Sequence, residues 1–259
     1  MTRLLSLCLL LLSASLAHAA DPVAPLEVRG ADGERIPTVV LEPEGGAANP
    51  PVAILLHGLT RKKEDWLSDA APTHGGVLKD QLLRAGYRVY LLDARRHGER
   101  ATPEAKPGAL AKQAHKGEPG PYVAMISDTL KDAHVLLTAV LAKGRPPRVL
   151  VAGYSMGAQV ALLLAAREPR VTHLITMVPP QIDPTMEEIA PSLHMARIHQ
   201  DWLLLTANQD DFAPVADSKA LFDAAPSRRK THKTFDSGHA LPREYLDEVS
   251  RWLRRVSGR

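Results

Sequence analysis

The chain has 259 residues, with 32 Lys and Arg against 29 Asp and Glu, a formal net charge of +3 and a single cysteine, Cys8. Charges this evenly balanced and scattered leave no electrostatic footprint for nucleic acid, and one cysteine excludes an intrachain disulfide framework. A 45 % share of hydrophobic residues over this length is enough for a substantial core.

At the N-terminus, Arg3 precedes an apolar run from Leu4 to Leu12 broken only by Ser6 and Cys8, and Ala17-His18-Ala19 follows. This is the order of an export leader, with cleavage after Ala19. The run is shorter than the roughly 20 residues a spanning helix needs, and Leu7 before Cys8 is too bulky for a lipid-attachment site. The expectation is a periplasmic or secreted protein with no membrane span in the mature chain. Removing residues 1–19 leaves 240 residues, with 31 basic and 29 acidic side chains, expected to form one domain.

Leu26 to Arg29 and Ile36 to Glu42 flank Ala31-Asp32-Gly33-Glu34, whose Asp-Gly step suits a hairpin turn, so two antiparallel strands are expected. Beyond Pro50-Pro51 the strands become short continuous apolar runs: Val52 to Leu56, Tyr87 to Leu92, Val149 to Ala152, Leu174 to Val178 and Leu203 to Thr206, with a final strand near Thr231 to Phe235. Such runs mark strands buried on both faces of a parallel sheet. Helical periods lie between them at Val77 to Ala85, Tyr122 to Ala142, Gly157 to Arg167, Val215 to Ala224 and Leu241 to Val256. A hairpin followed by βαβα alternation predicts a doubly wound α/β sheet of about eight strands.

Two connections are long. Residues 94–121 hold four prolines and four glycines, and residues 179–201 open with Pro179-Pro180 and carry a short helical stretch near Met186 to Ile189. Both leave the carboxyl ends of strands, where open α/β sheets bind ligands, so both are expected to wall or partly cover a site. The basic groups Arg61-Lys62-Lys63 and Arg251 with Arg254-Arg255 read as solvated surface.

The strongest local motif is Gly153-Tyr154-Ser155-Met156-Gly157, with an apolar strand before it and a helix-forming stretch after it. That context makes G-x-S-x-G a nucleophile elbow: the turn lifts the serine hydroxyl above the sheet at a helix N-terminus, where N–H groups and the helix dipole favour an oxyanion. A serine hydroxyl needs a base to take its proton and an acid to hold that base. Asp210 and Asp211 follow the strand at Leu203 to Thr206, and His239 stands at a Gly238-His239 step 29 residues after Asp210.

Together with His57-Gly58-Leu59 and the Asp93-to-Gly98 stretch, these motifs resemble the α/β-hydrolase family, in its esterase, lipase and dienelactone-hydrolase group, from about Leu26 to the last helix. The resemblance implies an α/β-hydrolase fold with a short cap insertion at 179–201. It also implies a catalytic triad of Ser155 as nucleophile, Asp210 as orienting acid and His239 as general base and acid. In similar proteins the acid lies three residues after a small residue that ends its strand and four before a proline, which Ala207, Asp210 and Pro214 match; Asp211 and, more remotely, Asp183 are the alternatives. It places the oxyanion hole at the backbone N–H groups of Leu59 and Met156, and gives His57 and His97 structural roles. No cofactor is implied, and the remaining histidines have no metal-ligand spacing.

The function expected is hydrolysis of a carboxylic ester of a small-molecule acyl substrate through an acyl-enzyme. Peptidase or thioesterase activity on the same triad stays open, with Arg61, Lys62 and Glu64 as possible anchors for a peptide terminus. So does a non-catalytic binding protein on a hydrolase scaffold.

Overall fold

The computed structural model describes residues 26–258; the expected leader lies outside them. The first strand, β1 (Val28–Arg29), pairs antiparallel with β2 (Arg35–Ile36) as a small separate hairpin. The second expected strand is in fact two. Pro37 cannot donate a ladder hydrogen bond, and the chain passes at this residue from β2 into β3 (Thr38–Leu41), which joins the main sheet.

The remaining elements follow the expected alternation: β4 (Val52–Leu56), α1 (Gly75–Arg84), β5 (Arg88–Leu92), α2 (Pro107–His115), α3 (Gly120–Leu141), β6 (Val149–Tyr154), α4 (Met156–Arg167), β7 (His173–Met177), β8 (Asp201–Ala207), α5 (Val215–Ala224), β9 (Lys230–Phe235) and α6 (Tyr245–Ser257). The main sheet has seven strands in the order β3-β5-β4-β6-β7-β8-β9. Only β3 runs antiparallel, so the loops after β4, β5, β6, β7, β8 and β9 leave the same edge.

Two apolar layers explain the continuous runs. Val52, Ile54 and Leu56 of β4 belong to the core shared with α2, α3 and α4, whereas Ala53 and Leu55 belong to the core shared with α1 and α6. Strands covered on both faces have no reason to alternate apolar with polar. Among the described residues, no helix is long and apolar enough to cross a membrane.

The 94–121 connection contains α2, a helix its prolines obscured. Pro107 is the first residue of α2 and Pro121 the second of α3, positions where a missing N–H costs no intrahelical bond. Leu110 and Ala114, four apart, bury the inner face of α2. The 179–201 connection forms three short 3-10 turns, Pro184–Ile189, Pro191–Leu193 and Met195–Arg197. Its Ile189, Met195 and Ile198 join the core, and Gln159 and Arg167 of α4 donate to the carbonyls of Ile189 and Glu188 at 2.8 and 2.7 Å.

Candidate active site

Register along the sheet assembles the site. Leu56 of β4 faces both Leu92 of β5 and Gly153 of β6, Tyr154 faces Met177, and Ala207 of β8 faces Phe235 of β9. The loops carrying Leu59, Ser155, Asp210 and His239 therefore all emerge at one edge.

At the elbow, Ser155 has φ 53° and ψ −120°, a backbone conformation costly for a residue with a side chain. It is held there by its N–H donating to Met177 O at 2.8 Å, and by Ala158 and Gln159 N–H donating to its carbonyl at 2.8 and 3.1 Å. The flanking glycines are required by contact. A Cβ on Gly153 would lie 2.1 Å from Gly157 O, and one on Gly157 would lie 2.0 Å from Leu56 O.

His239 Nδ1 lies 2.7 Å from Asp210 Oδ2, and His239 Nε2 lies 2.8 Å from Ser155 Oγ. A carboxylate only accepts, so Nδ1 carries the proton and Nε2 offers its lone pair to the serine O–H. The other oxygen of Asp210 accepts from Phe212 and Ala213 N–H at 2.9 and 3.1 Å, and the residue is only 5 % exposed. Of the three acids considered, Asp210 is therefore the one that meets the histidine. Asp211 is exposed, and Asp183 caps the first turn of the 179–201 connection by accepting from Thr185 N–H at 2.8 Å.

Met156 opens α4, so its N–H has no acceptor within the helix. Among the described residues, Leu59 N–H has no carbonyl or side-chain acceptor either. Both donors are thus left without a protein acceptor, which an oxyanion hole requires of its N–H groups.

His57 and His97 brace the loops around them. Ala94 N–H donates to His57 Nε2 at 3.0 Å while His57 Nδ1 donates to Gly58 O at 2.9 Å. Thr60 N–H donates to His97 Nε2 at 3.2 Å, and His97 Nδ1 donates to Arg95 O at 2.7 Å. Both need to be neutral to accept in this way. Burial lowers the pKa of each, that of His97 to about 4.

Lys63 departs from the solvated surface expected of residues 61–63. It is 2 % exposed, with Nζ 2.9 Å from Asp93, 2.6 Å from Glu99 and 2.8 Å from Glu64. Burial alone would lower its pKa, but the three carboxylates outweigh that effect and hold it above the usual lysine value. A charge run in sequence carries no sign of such a long-range partner.

Two further residues escaped sequence reasoning. Tyr154 O–H donates to His239 O at 2.8 Å and accepts from Leu241 N–H at 2.9 Å, tying the histidine loop to the elbow. Phe212 is 68 % exposed, with its ring edge-on to His239 at 5.3 Å between centroids. Tyr154 occupies a variable position of the motif and its partners lie 85 and 87 residues away, so no local signal marks it. Among the described residues no group of three or more His, Cys, Asp or Glu is placed to hold a metal ion.

The fold is shared with solved structures. An esterase of Pyrococcus furiosus matches with TM-score 0.66 at 16 % identity, over 92 % of this chain and 91 % of its own. Acetyl xylan esterase 1 of a Thermoanaerobacterium species matches with TM-score 0.69 at 20 % identity, over 90 % and 82 %. A puromycin-hydrolyzing peptidase of Mycobacterium tuberculosis matches with TM-score 0.69 at 14 % identity, over 92 % of this chain but 40 % of its own. No curated protein matches the sequence. The model of the alpha/beta hydrolase family matches residues 53–257, a span holding the elbow, the acid loop and the histidine loop, and the chain belongs to that family.

Proposed function

We propose that this protein is a serine hydrolase that cleaves a carboxylic ester, with Ser155 as nucleophile, His239 as general base and then acid, and Asp210 as the group that orients it. The observation that carries the reading is the continuous relay from Asp210 through His239 to Ser155, with both hydrogen bonds below 3 Å. Ser155 Oγ attacks the ester carbonyl as its proton passes to His239 Nε2. The oxyanion is received by the N–H groups of Met156 and Leu59, and the alcohol leaves with the proton from His239. Water, deprotonated by the same histidine, then releases the acid.

Esters are favoured over peptides as the substrate because similar structures spanning most of their own length against this chain include esterases, whereas the peptidase is matched over 40 % of its own length. The leader-like residues 1–19 place the activity outside the cytoplasm in this proposal. The experiment is labelling with a fluorophosphonate, followed by rates on p-nitrophenyl esters beside aminoacyl p-nitroanilides. Expected are a label on Ser155, lost in Ser155→Ala, and faster turnover of esters. A label elsewhere, or turnover of amides alone, would overturn the assignment.

A further inference from the structure

A cavity of about 460 Å³ opens between the loop after β4 and the 94–121 segment. Its walls carry four cationic side chains, Arg61, Arg96, Lys106 and Lys112, along with Thr60 and Gly98, and among the described residues no carboxylate lines it. All four cations are exposed. Arg61 has one neighbouring acid, Asp65, at 4.0 Å; Arg96, Lys106 and Lys112 have no ion-pair partner among the described residues. Glu99, the nearest acid along the chain from Gly98, is engaged by Lys63 and Arg35. On a chain whose charges otherwise nearly cancel, four cations around one concavity raise the local concentration of anions.

The Arg61 wall of the cleft lies close to the elbow. A Cβ on Gly58 would lie 3.6 Å from Ser155 Cβ and 3.7 Å from Arg61 Cγ, so the nucleophile and the Arg61 stem border the same small space. Thr60 follows Leu59 directly, and α2 rests against it, since a Cβ on Gly108 would meet Thr60 Cγ2 at 3.5 Å. The walls are also fixed in place. Thr60 and Arg96 hold left-handed backbones, φ 63° and 64°, and the Thr60 N–H bond to His97 links one wall to the other.

Resting on the ester-hydrolase reading above, we propose that this cleft receives an anionic oxygen group carried by the substrate, so that the preferred substrates are esters with a carboxylate or similar oxyanion on one side of the scissile bond. Arginine forks and lysine ammonium groups suit such oxyanions, and the four together set specificity while the triad does the chemistry.

The test compares kcat/KM on matched pairs: p-nitrophenyl hemisuccinate and hemiglutarate against p-nitrophenyl butyrate and valerate for an anion on the acyl side, and 4-acetoxybenzoate against its methyl ester for the alcohol side. On at least one side the anionic ester is expected to be favoured about tenfold or more at low salt. The preference should shrink as salt screens the cleft and fall toward one in Arg96→Gln/Lys112→Gln. Ratios near or below one on both sides, or a preference the double variant leaves intact, would overturn the inference while the ester-hydrolase reading stood. Absence of both neutral-ester turnover and a Ser155 label would overturn that reading, and the inference with it.

Discussion

At the scale of single residues, the site depends on which of two adjacent carboxylates is buried against the histidine. Asp210 is enclosed and accepts three hydrogen bonds, whereas Asp211 faces solvent. Asp210→Asn is expected to lower kcat on an ester by on the order of 10⁴-fold, because an amide can no longer stabilise the imidazolium or enforce its tautomer. Asp211→Asn should stay within about twofold of the parent, and circular dichroism should show both variants folded. Equal and mild losses would mean that the relay seen here is not the one used. Ser155→Ala should lose on the order of 10³- to 10⁶-fold, since triad members act as a unit.

At the scale of elements, the N-terminal hairpin, the loop after β5 and α3 are held together by charge. Asp132, on α3 and 1 % exposed, accepts from Arg95 at 2.6 and 2.9 Å and from Arg100 at 2.7 Å, while Glu34 of the hairpin turn accepts from Arg100 at 2.8 Å. Removing the acid leaves Arg100 buried beside Arg95 with no central counter-charge, a change costing about 3 kcal/mol when a buried pair is broken. Asp132→Ala should therefore lower the unfolding free energy obtained from urea titration by that amount, and should also disturb the loop bearing Arg96 and His97. A loss below about 1 kcal/mol would show that apolar packing, not this network, holds the hairpin and loop.

Across the whole molecule, buried neutral histidines make stability depend on pH. His97 and His173 are each lowered to about 4, first of all by burial, to which the charge of Arg148 adds on His173. Unfolded histidines titrate near 6.5, so between about pH 6.5 and 4 the unfolded chain binds more protons than the folded one. The stability these groups contribute is present above about pH 6.5 and is lost as pH falls through about 4. For His97 it is on the order of 3 kcal/mol. The unfolding midpoint should fall steadily over that window, and the fall should be shallower in His97→Gln; parallel curves for variant and parent would refute the linkage.

The same scale bears on substrate size. The 179–201 connection packs on α4 through Ile189, Met195 and Ile198, and its beginning meets the acid loop, where Gln181 N–H donates to Phe212 O at 2.9 Å. Without a large cap, methylenes beyond the pocket gain little of the roughly 0.8 kcal/mol each that burial provides. Among neutral esters, kcat/KM should peak at short or medium acyl chains, with no jump in rate at the micellar threshold. A steady rise through long chains would point to a closing lid.

The sequence by itself determined the strand runs beyond Pro51, four of the five expected helices to within two residues at each end, the elbow and the histidine step, because each is written in local periodicity or in a motif confined to a few residues. The fifth, α6, starts at Tyr245 rather than Leu241: Pro242 biases the residue before it toward extended backbone, and Leu241 spends its N–H on Tyr154. Tertiary structure alone decided what depends on partners far along the chain: the burial of Lys63 between Asp93 and Glu99, the bracket of Tyr154 on the His239 loop, and the cationic cleft that Arg61 forms with residues of the 94–121 segment. Their physical cause is the packing of loops at one sheet edge, which chooses among charges and hydroxyls that look alike in one dimension by excluding water from some and leaving others in it.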